Sequence, residues 1–478
     1  MKIKPYQHRV INRIDTTILY IGLVVVFSSI SSLAICFDKI LPTEYSLLPL
    51  LPLAFGLISC IFMNVYRHLF NSWSVTLIVG LYFLRSVIIP LVMCFGEYNS
   101  LVKNSFVYNN MDKAIILLVY EILIVFLTLS IKVRKLVTIY RYKKESNLVV
   151  FNYKSTLFNV ILLALIVFVM VSLIFYPRLK FHINFFVNNS SDGSFSKAID
   201  LANMRQGVPS VIYWLYTYFF SILQLIIPIL LIQFVYKRNG LKSENKAILL
   251  SLIIVFFSIM IMTQDKAKSI FVGINLIIMI YFLYFNKLKK IYPLFLGVLL
   301  IVAFIGLILK SGVNNNDNIF MVFSLILVAY FGGPPNVAVA LSMNDLFDLQ
   351  LIISDIFNSI PFIGYFFQNR DTTQKVFNLT LYGNSISADQ IVPMIGQGYF
   401  YFGFILAPIF SALCIIIAVN LEKRSKINND IFNKYIYMYG VTIFSIAPNL
   451  YNFNILITSV SYWLIILLIS RLSKIKMR

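Results

Sequence analysis

The sequence has little charge for its length. Asp, Glu, Lys and Arg make up 12% of its 478 residues, whereas soluble globular proteins carry about 25%. Hydrophobic residues make up 59% and the mean hydropathy is +0.84. This balance excludes an ordinary soluble domain and predicts a polytopic integral membrane protein. Acidic residues are scarcer than basic ones, which gives a formal net charge of +21. We assign the excess to short loops between membrane spans rather than to nucleic-acid binding.

Cysteine and histidine are also scarce. All four cysteines lie in apolar runs, and no pair has the spacing of metal ligands, so no disulfide framework or thiolate metal site is expected. The chain has no HExxH and no GxxxxGK[ST] motif, which argues against that kind of zinc site and against an ATP-driven transport domain. We therefore expect neither a metal nor a cofactor.

Long apolar runs dominate what is present. A bilayer core of about 30 Å needs about 20 mainly apolar residues per helix. These runs are too long for barrel strands, and helices satisfy their own backbone groups in lipid. The sequence therefore predicts an all-α, single transmembrane domain over residues 1–478 with about twelve transmembrane helices. The predicted spans are 17–37, 46–65, 72–95, 112–131, 156–175, 210–236, 247–262, 269–285, 292–309, 395–419, 435–448 and 453–469.

Basic residues collect at alternate ends of these spans. The most basic loop, 132–154, follows the fourth span, and both termini are predicted on the same side of the membrane as this loop. By the positive-inside rule, these segments are cytoplasmic. Isoleucine, lysine, asparagine and phenylalanine are abundant, which is typical of an AT-rich bacterial genome. The prediction is a bacterial cytoplasmic membrane protein with both termini in the cytoplasm.

Two longer loops are predicted on the outer side, at residues 176–209 and 310–395. The second has six aspartates but no Glu, His or Cys. Its apolar stretches, 319–331 and 346–367, predict short packed helices rather than disorder. The stretch 319–341 is apolar enough to cross or re-enter the membrane, and a crossing would require another within 349–367. A loop beyond about 15 residues in a compact protein is usually functional or disordered, so we expect function here.

Two ionisable residues fall midway along predicted spans. Arg85 lies in the third span and Glu121 in the fourth, so the two side chains could pair across neighbouring helices. Intramembrane charges are costly and are functional candidates by default. The alternative is an internal ion pair that only fixes the packing of the helices.

Cations in the predicted outer loops run against the positive-inside trend. The candidates are Arg205, Arg370, Lys266 and Lys268. Arginine binds phosphate oxygens in a bidentate manner and lysine acts as a point charge. This set predicts binding of a phosphate or pyrophosphate at the outer membrane surface. The alternative is that these side chains contact lipid headgroups or water.

Two residues are candidate general bases. His182 is the only histidine in a predicted outer loop, and Asp389 could accept a proton from a sugar hydroxyl. Asp371 is a further carboxylate of the same kind. Each is chosen by location, and the alternative for each is a solvated loop side chain.

The chain resembles the Wzy-type polymerases of bacterial O-antigen and capsular repeat units. The resemblance covers the overall plan and two local motifs, Tyr330-Phe331-Gly332-Gly333-Pro334 and Gly396-Gln397-Gly398-Tyr399-Phe400-Tyr401-Phe402-Gly403-Phe404. The second is similar to an aromatic-x-FG-x-x-G entry to the tenth span, without its last glycine. Relatives tend to carry a Gly/Ser-Arg turn where 263–268 stands here with Lys266 and Lys268.

The resemblance implies a metal-independent membrane glycosyltransferase. It would join undecaprenyl-pyrophosphate-linked oligosaccharide repeat units at the outer leaflet, with Arg205 and Arg370 holding the donor pyrophosphate. The implied partners are the lipid-linked oligosaccharide and membrane lipids; a chain-length regulator is left open, and no nucleic acid is expected.

Three other functions remain open from sequence. A flippase for the same lipid-linked units suits twelve spans equally, although it would have short loops and carry its charges inside the bundle. A ligase would share the donor chemistry but transfer to a lipid core. An acyltransferase would need a histidine in or near a span on the cytoplasmic side, and His68 lies there, although the sequence shows no obvious catalytic residue to act with it.

Overall fold

A computed structural model describes most of the chain as helices. The described residues are 5–69, 71–98, 109–140, 156–182, 207–239, 243–261, 266–284, 288, 319–343, 347–360, 363–367, 370–383, 391–428 and 430–472. The helices before residue 300 are α1 Pro5–Cys36, α2 Leu50–Ile61, α3 Met63–Tyr66, α4 Trp73–Phe83, α5 Ile89–Phe95, α6 Met111–Tyr140, α7 Thr156–Phe175, α8 Ser210–Asn239, α9 Glu244–Ile261 and α10 Lys266–Leu283. Those after it are α11 Ile319–Phe331, α12 Pro334–Ser342, α13 Leu349–Ser359, α14 Gly364–Phe367, α15 Thr373–Tyr382, α16 Met394–Leu406, α17 Ile409–Ile427, α18 Ile431–Leu450 and α19 Phe453–Leu472.

The all-helical membrane architecture predicted from the sequence is confirmed in its coarse form. Within the described residues, seven helices are long and apolar enough to cross a membrane, or up to nine if each of two bent pairs counts as one span. The seven lie at Thr17–Cys36, Thr43–Ile61, Trp73–Phe95, Met111–Arg134, Leu157–Phe175, Ser210–Arg238 and Phe453–Arg471. The predicted span 292–309 lies outside the described residues. The number twelve therefore stays a prediction.

The predicted tenth span is not one straight helix. Residues 395–419 are divided between α16 and α17, whose axes differ by 102°. Gly403 has φ +74° inside α16, a left-handed conformation that side chains other than glycine rarely adopt. Pro408 directly precedes α17 and has no backbone N–H to continue a helical ladder. A continuous apolar run therefore conceals a break that only the backbone conformation reveals.

The described part of 310–395 is helical, as expected from its apolar stretches. It contains α11 to α15, and α11 and α12 form the second bent pair, with 52° between their axes. α11 packs against α5, while α12 packs against α6 and α16. Residues 334–341 of α12 are all buried. α12 is therefore packed among other helices, and the external position of 310–395 stays a prediction.

The apolar core has two parts. One joins α1, α2, α4, α5 and α6 to α11 and α12. The other joins α7 to α10 with α18 and α19. α17 contributes side chains to both, for example Ile415 to the first and Cys414 to the second. The outward faces of α1 and α7 carry exposed apolar side chains such as Leu19 and Leu163, which suits contact with lipid.

Candidate functional site

A buried ion pair lies where the third and fourth predicted spans meet. The Arg85 Nη1 atom is 3.0 Å from Glu121 Oε2, and the two side chains are 1% and 0% exposed. Arg85 lies in a π-helical turn, Leu84–Ile88, which interrupts the α-helical span. Such turns occur often at functional sites. The pairing suggested by the sequence is therefore present, and its functional role stays a prediction.

The Glu121 carboxylate has three donors, two from the third predicted span and one from α17. Besides Arg85, the Tyr82 hydroxyl donates to Oε1 at 2.9 Å and the Ser411 hydroxyl donates to the same atom at 2.6 Å. A buried carboxylate needs such donors because it has lost its hydration. We call Arg85, Glu121, Tyr82, Ser411 and Asn449 the Arg85 cluster.

The guanidinium of Arg85 is only partly satisfied. Nε donates to the Gly332 carbonyl at 3.1 Å, and Nη1 also approaches Asn449 Oδ1 at 3.4 Å. Gly332 has φ +59°, and a Cβ there would lie 2.9 Å from Pro393 Cβ, so only glycine suits this turn between α11 and α12. Nη2 of Arg85 and Nδ2 of Asn449 are buried and have no partner in the described part of the protein.

A second polar group surrounds Asp355, which is 0% exposed on α13. Its Oδ1 accepts from the Thr373 backbone N–H and from Asn454 Nδ2, both at 3.0 Å. Its Oδ2 accepts from Gln397 Nε2 at 3.2 Å and from the Tyr401 hydroxyl. No lysine or arginine of the described residues pairs with it. We call these five residues the Asp355 network.

The turn between α18 and α19 joins the two groups. Asn449 reaches the Arg85 cluster, and Asn454 reaches Asp355. Between them, Asn452 Nδ2 donates to Gln374 Oε1 at 2.7 Å, and the Phe453 N–H donates to Gln397 Oε1 at 2.8 Å. One short stretch of chain thus connects the bundle, the segment 310–395 and the helix that follows it.

Glycines of the 396–404 motif allow the helices to approach closely at this point. A Cβ on Gly396 would lie 2.5 Å from Ala340 Cβ on α12, and one on Gly398 would overlap the Ala407 carbonyl oxygen. Gln397 and Tyr401, one helical turn apart, face Asp355. The motif that carried the resemblance therefore supplies both the close approach and two members of the Asp355 network.

The predicted phosphate-binding cations are not gathered in the described structure. Arg370 is exposed, with its guanidinium carbon 4.8 Å from the centre of the Phe367 ring. Lys266 and Lys268 begin α10, but their side chains lie outside the described part, as does all of Arg205.

The two candidate bases are not described either. His182 ends the short helix Pro177–His182, without a described side chain, and Asp389 lies outside the described residues. Among the residues that are described, no group of three His, Cys, Asp or Glu side chains could hold a metal ion.

Sequence reasoning missed Asp355 and the asparagines of the α18–α19 turn as a group. Asp355 was one of six aspartates in 310–395, and nothing in the sequence separates it from the rest. The pattern Asn449, Asn452, Asn454 at the boundary of two apolar helices was a usable signal, because amides are costly to place there without partners.

Comparisons with known proteins found no match for the chain. No protein-family model, no curated protein and no solved structure matches it. The sequence pattern and the geometry of these two groups are therefore the basis for assigning a function.

Proposed function

We propose that this chain is a membrane glycosyltransferase that polymerises oligosaccharide repeat units carried on a lipid pyrophosphate. In this reaction a hydroxyl of one repeat unit attacks the anomeric carbon of another, and the lipid pyrophosphate leaves. Negative charge grows on the leaving group, so cations placed beside it lower the barrier. The proposal keeps Arg370, Arg205, Lys266 and Lys268 as the cations and Asp389 or His182 as the base.

One observation carries this proposal: Arg370 stands three residues before Thr373, whose backbone N–H is bound by buried Asp355. Three residues of chain span at most about 10 Å, so the exposed arginine is tethered close to a buried polar network. Lys375 adds a second cation there, with Nζ 3.1 Å from the Arg370 carbonyl oxygen. Two cations within a few residues of a network of amides, a carboxylate and a tyrosine suit a sugar pyrophosphate, although Asp371 lies 3.9 Å from Lys375 Nζ.

Asp355 itself is not assigned as the base in this proposal. Four donors already occupy its two oxygens, and a base must accept the proton of an incoming hydroxyl. Its role in the proposed enzyme is to fix α13, the start of α15 and α16 relative to one another.

A flippase for the same lipid-linked units is the second candidate. Two features favour it: charges inside the bundle at Arg85 and Glu121, and two bent helix pairs among the candidate spans. Discontinuous helices beside buried polar groups are common in secondary transporters. A flippase would use these features to carry a polar headgroup across the membrane without breaking a bond.

Deleting the gene from its bacterial host distinguishes the two candidates. Surface polysaccharide is then resolved on a gel, and lipid-linked units are tested for accessibility on each face of the membrane. A polymerase predicts single repeat units at the surface, whereas a flippase predicts lipid-linked units held at the cytoplasmic face. Unchanged chain length would exclude both.

Complementation then tests the proposed cations. Arg370→Ala and Arg205→Ala are expected to leave short chains, whereas Arg178→Ala, an exposed arginine in the same predicted outer loop as Arg205, is expected to restore wild-type length. Equal behaviour of Arg370→Ala and Arg178→Ala would remove Arg370 from the proposed site. Membrane levels of each variant are compared by immunoblot.

A further inference from the structure

Three buried hydrogen-bond donors in or beside the Arg85 cluster have no partner among the residues that the structure describes. They are Arg85 Nη2, Asn449 Nδ2 and Ser445 Oγ. Arg85, Asn449 and Ser445 are 1%, 4% and 0% exposed. Buried polar groups in folded proteins almost always have partners, so each such atom calls for a specific explanation. Three of them together indicate a position for a group that the protein itself does not supply.

Two of these atoms belong to side chains in contact, and the third lies one helical turn away. Arg85 Nη1 and Asn449 Oδ1 are 3.4 Å apart, so the guanidinium and the amide group touch. Ser445 precedes Asn449 by four residues on α18, so both side chains lie on the same face of that helix. Arg85 Nε donates to the Gly332 carbonyl and Nη1 donates to Glu121. The third nitrogen, Nη2, remains for a ligand.

The chemistry of these donors limits the kind of ligand that can bind here. Nη2 and Nδ2 each carry two N–H groups and accept nothing, and the serine hydroxyl can also donate. A ligand at this place must therefore present acceptor oxygens. Two planar donor groups match an oxyanion with two or more oxygens better than they match a lone carbonyl, because guanidinium and phosphate or carboxylate groups pair in a bidentate manner.

We propose that Arg85 Nη2, Asn449 Nδ2 and Ser445 Oγ form an oxyanion-binding site for a phosphate-type group inside the helix bundle. The ion pair with Glu121 holds the guanidinium in place, while Tyr82 and Ser411 share the Glu121 charge through hydrogen bonds. The inference depends on the unpartnered donors and not on the proposed reaction, so either can fail without the other.

Binding is tested with the purified full-length chain in lipid nanodiscs. Inorganic pyrophosphate is titrated as a free anion, and a second set of discs contains a long-chain polyprenyl pyrophosphate. The readouts are equilibrium binding of the labelled anion and the ligand-dependent rise in the midpoint of thermal unfolding, which follows from binding to the folded state alone. A rise with either source supports the site, and the two arms identify whether the group is free or lipid-attached.

The decisive variant is Asn449→Asp. It is nearly isosteric, and its carboxylate would pair with Nη2 and repel an anion. We therefore expect a folded variant, at least as stable as wild type without ligand, whose affinity for pyrophosphate falls about tenfold or more. Ser445→Ala should weaken binding by a smaller factor. Thr128→Ala, whose hydroxyl bonds to the Ile124 carbonyl within α6, is the matched control and should bind as wild type.

Two results would overturn the site. One is wild-type protein that gains no stability from either pyrophosphate source, which would leave an internal water as the partner of the three donors. The other is an Asn449→Asp variant that binds pyrophosphate as tightly as wild type.

Discussion

Two buried glutamates in this bundle differ in whether the groups around them are all hydrogen-bonded. Glu422, on α17, accepts from the Ser72 hydroxyl at 2.6 Å, from the backbone N–H groups of Trp73 and Ser74, both at 3.1 Å, and from the Ser74 hydroxyl. Lys426 Nζ lies 2.5 Å from it and is 24% exposed. We call these five residues the Glu422 anchor.

No side chain of the Glu422 anchor is among the unpartnered buried groups of the described residues. The carboxylate caps the first turn of α4, where backbone N–H groups lack helical partners and negative charge is favoured. Every group has a partner within the protein, so the anchor needs no ligand and its role is to hold α4 against α17.

Glu121 is equally buried, yet Nη2 of its partner Arg85 and Nδ2 of the adjoining Asn449 have no partner among the described residues. The lesson is that burial of charge does not by itself mark a site. Where every donor around a buried charge has a partner, the charge has a structural role. Where buried donors lack a partner, they indicate a position for a ligand.

The largest loss of stability is expected when the Arg85–Glu121 ion pair is broken. Glu121→Gln leaves a buried guanidinium without its counter-charge, which costs about 3–5 kcal/mol when a buried pair loses one member. The double variant Arg85→Gln with Glu121→Gln removes both charges and should recover a large part of that loss. Denaturant unfolding of the purified variants in detergent measures both. Arg85→Gln alone completes the cycle, and a double-variant loss equal to the sum of the two single-variant losses would mean that the pair is not coupled.

A smaller effect is expected at the Glu422 anchor. Glu422→Gln places an NH₂ group against donors and leaves at least one unpartnered, a loss of about 1–3 kcal/mol. Pyrophosphate binding at the Arg85 cluster should stay unchanged, because the anchor contributes no donor to it. Lys426→Ala is the control for charge alone and should cost about 0–1 kcal/mol, since the lysine is partly exposed. Loss of pyrophosphate binding in Glu422→Gln would contradict the separate roles of the Glu422 anchor and the Arg85 cluster.

The smallest effect is expected at Asp38, a carboxylate outside the spans. The backbone N–H of Ile40 donates to Oδ1 at 3.0 Å and lowers the Asp38 pKa, with smaller contributions from Cys94 and the Tyr98 hydroxyl. Burial, followed by these neighbours, raises the pKa of Tyr98.

The sign of the pH dependence follows from these shifts. Because the Asp38 pKa is lowered on folding, its stabilisation is present above the ordinary carboxyl pKa and is lost as the pH falls through the folded value. Asp38→Asn should therefore lower stability slightly at neutral pH, leave stability almost unchanged at low pH where Asp38 is protonated, and so flatten the acid limb of the profile. Melting curves of both proteins across the acid range test this. An unchanged acid limb would show that Asp38 contributes nothing.

The sequence predicted the elements better than their arrangement. Apolar runs identified seven spans within a few residues of the helices, because a bilayer demands long apolar stretches whatever the fold. The same runs did not predict the breaks in the helices at Gly332 and Gly403, because a glycine in an apolar stretch can also continue a helix. Only the structure shows that both have a left-handed conformation. Arg85 and Glu121 were identified because charge within a span is rare.

What the sequence by itself determined is the membrane class, the approximate bounds of seven spans and the presence of two charges within neighbouring spans. Each follows from local composition, because lipid penalises polar groups residue by residue. What only the tertiary structure decided is which polar groups converge: Asp355 with Gln397 and Tyr401, and Asn449 with Arg85. These partners are separated by tens to hundreds of residues, and their contact depends on how the helices pack.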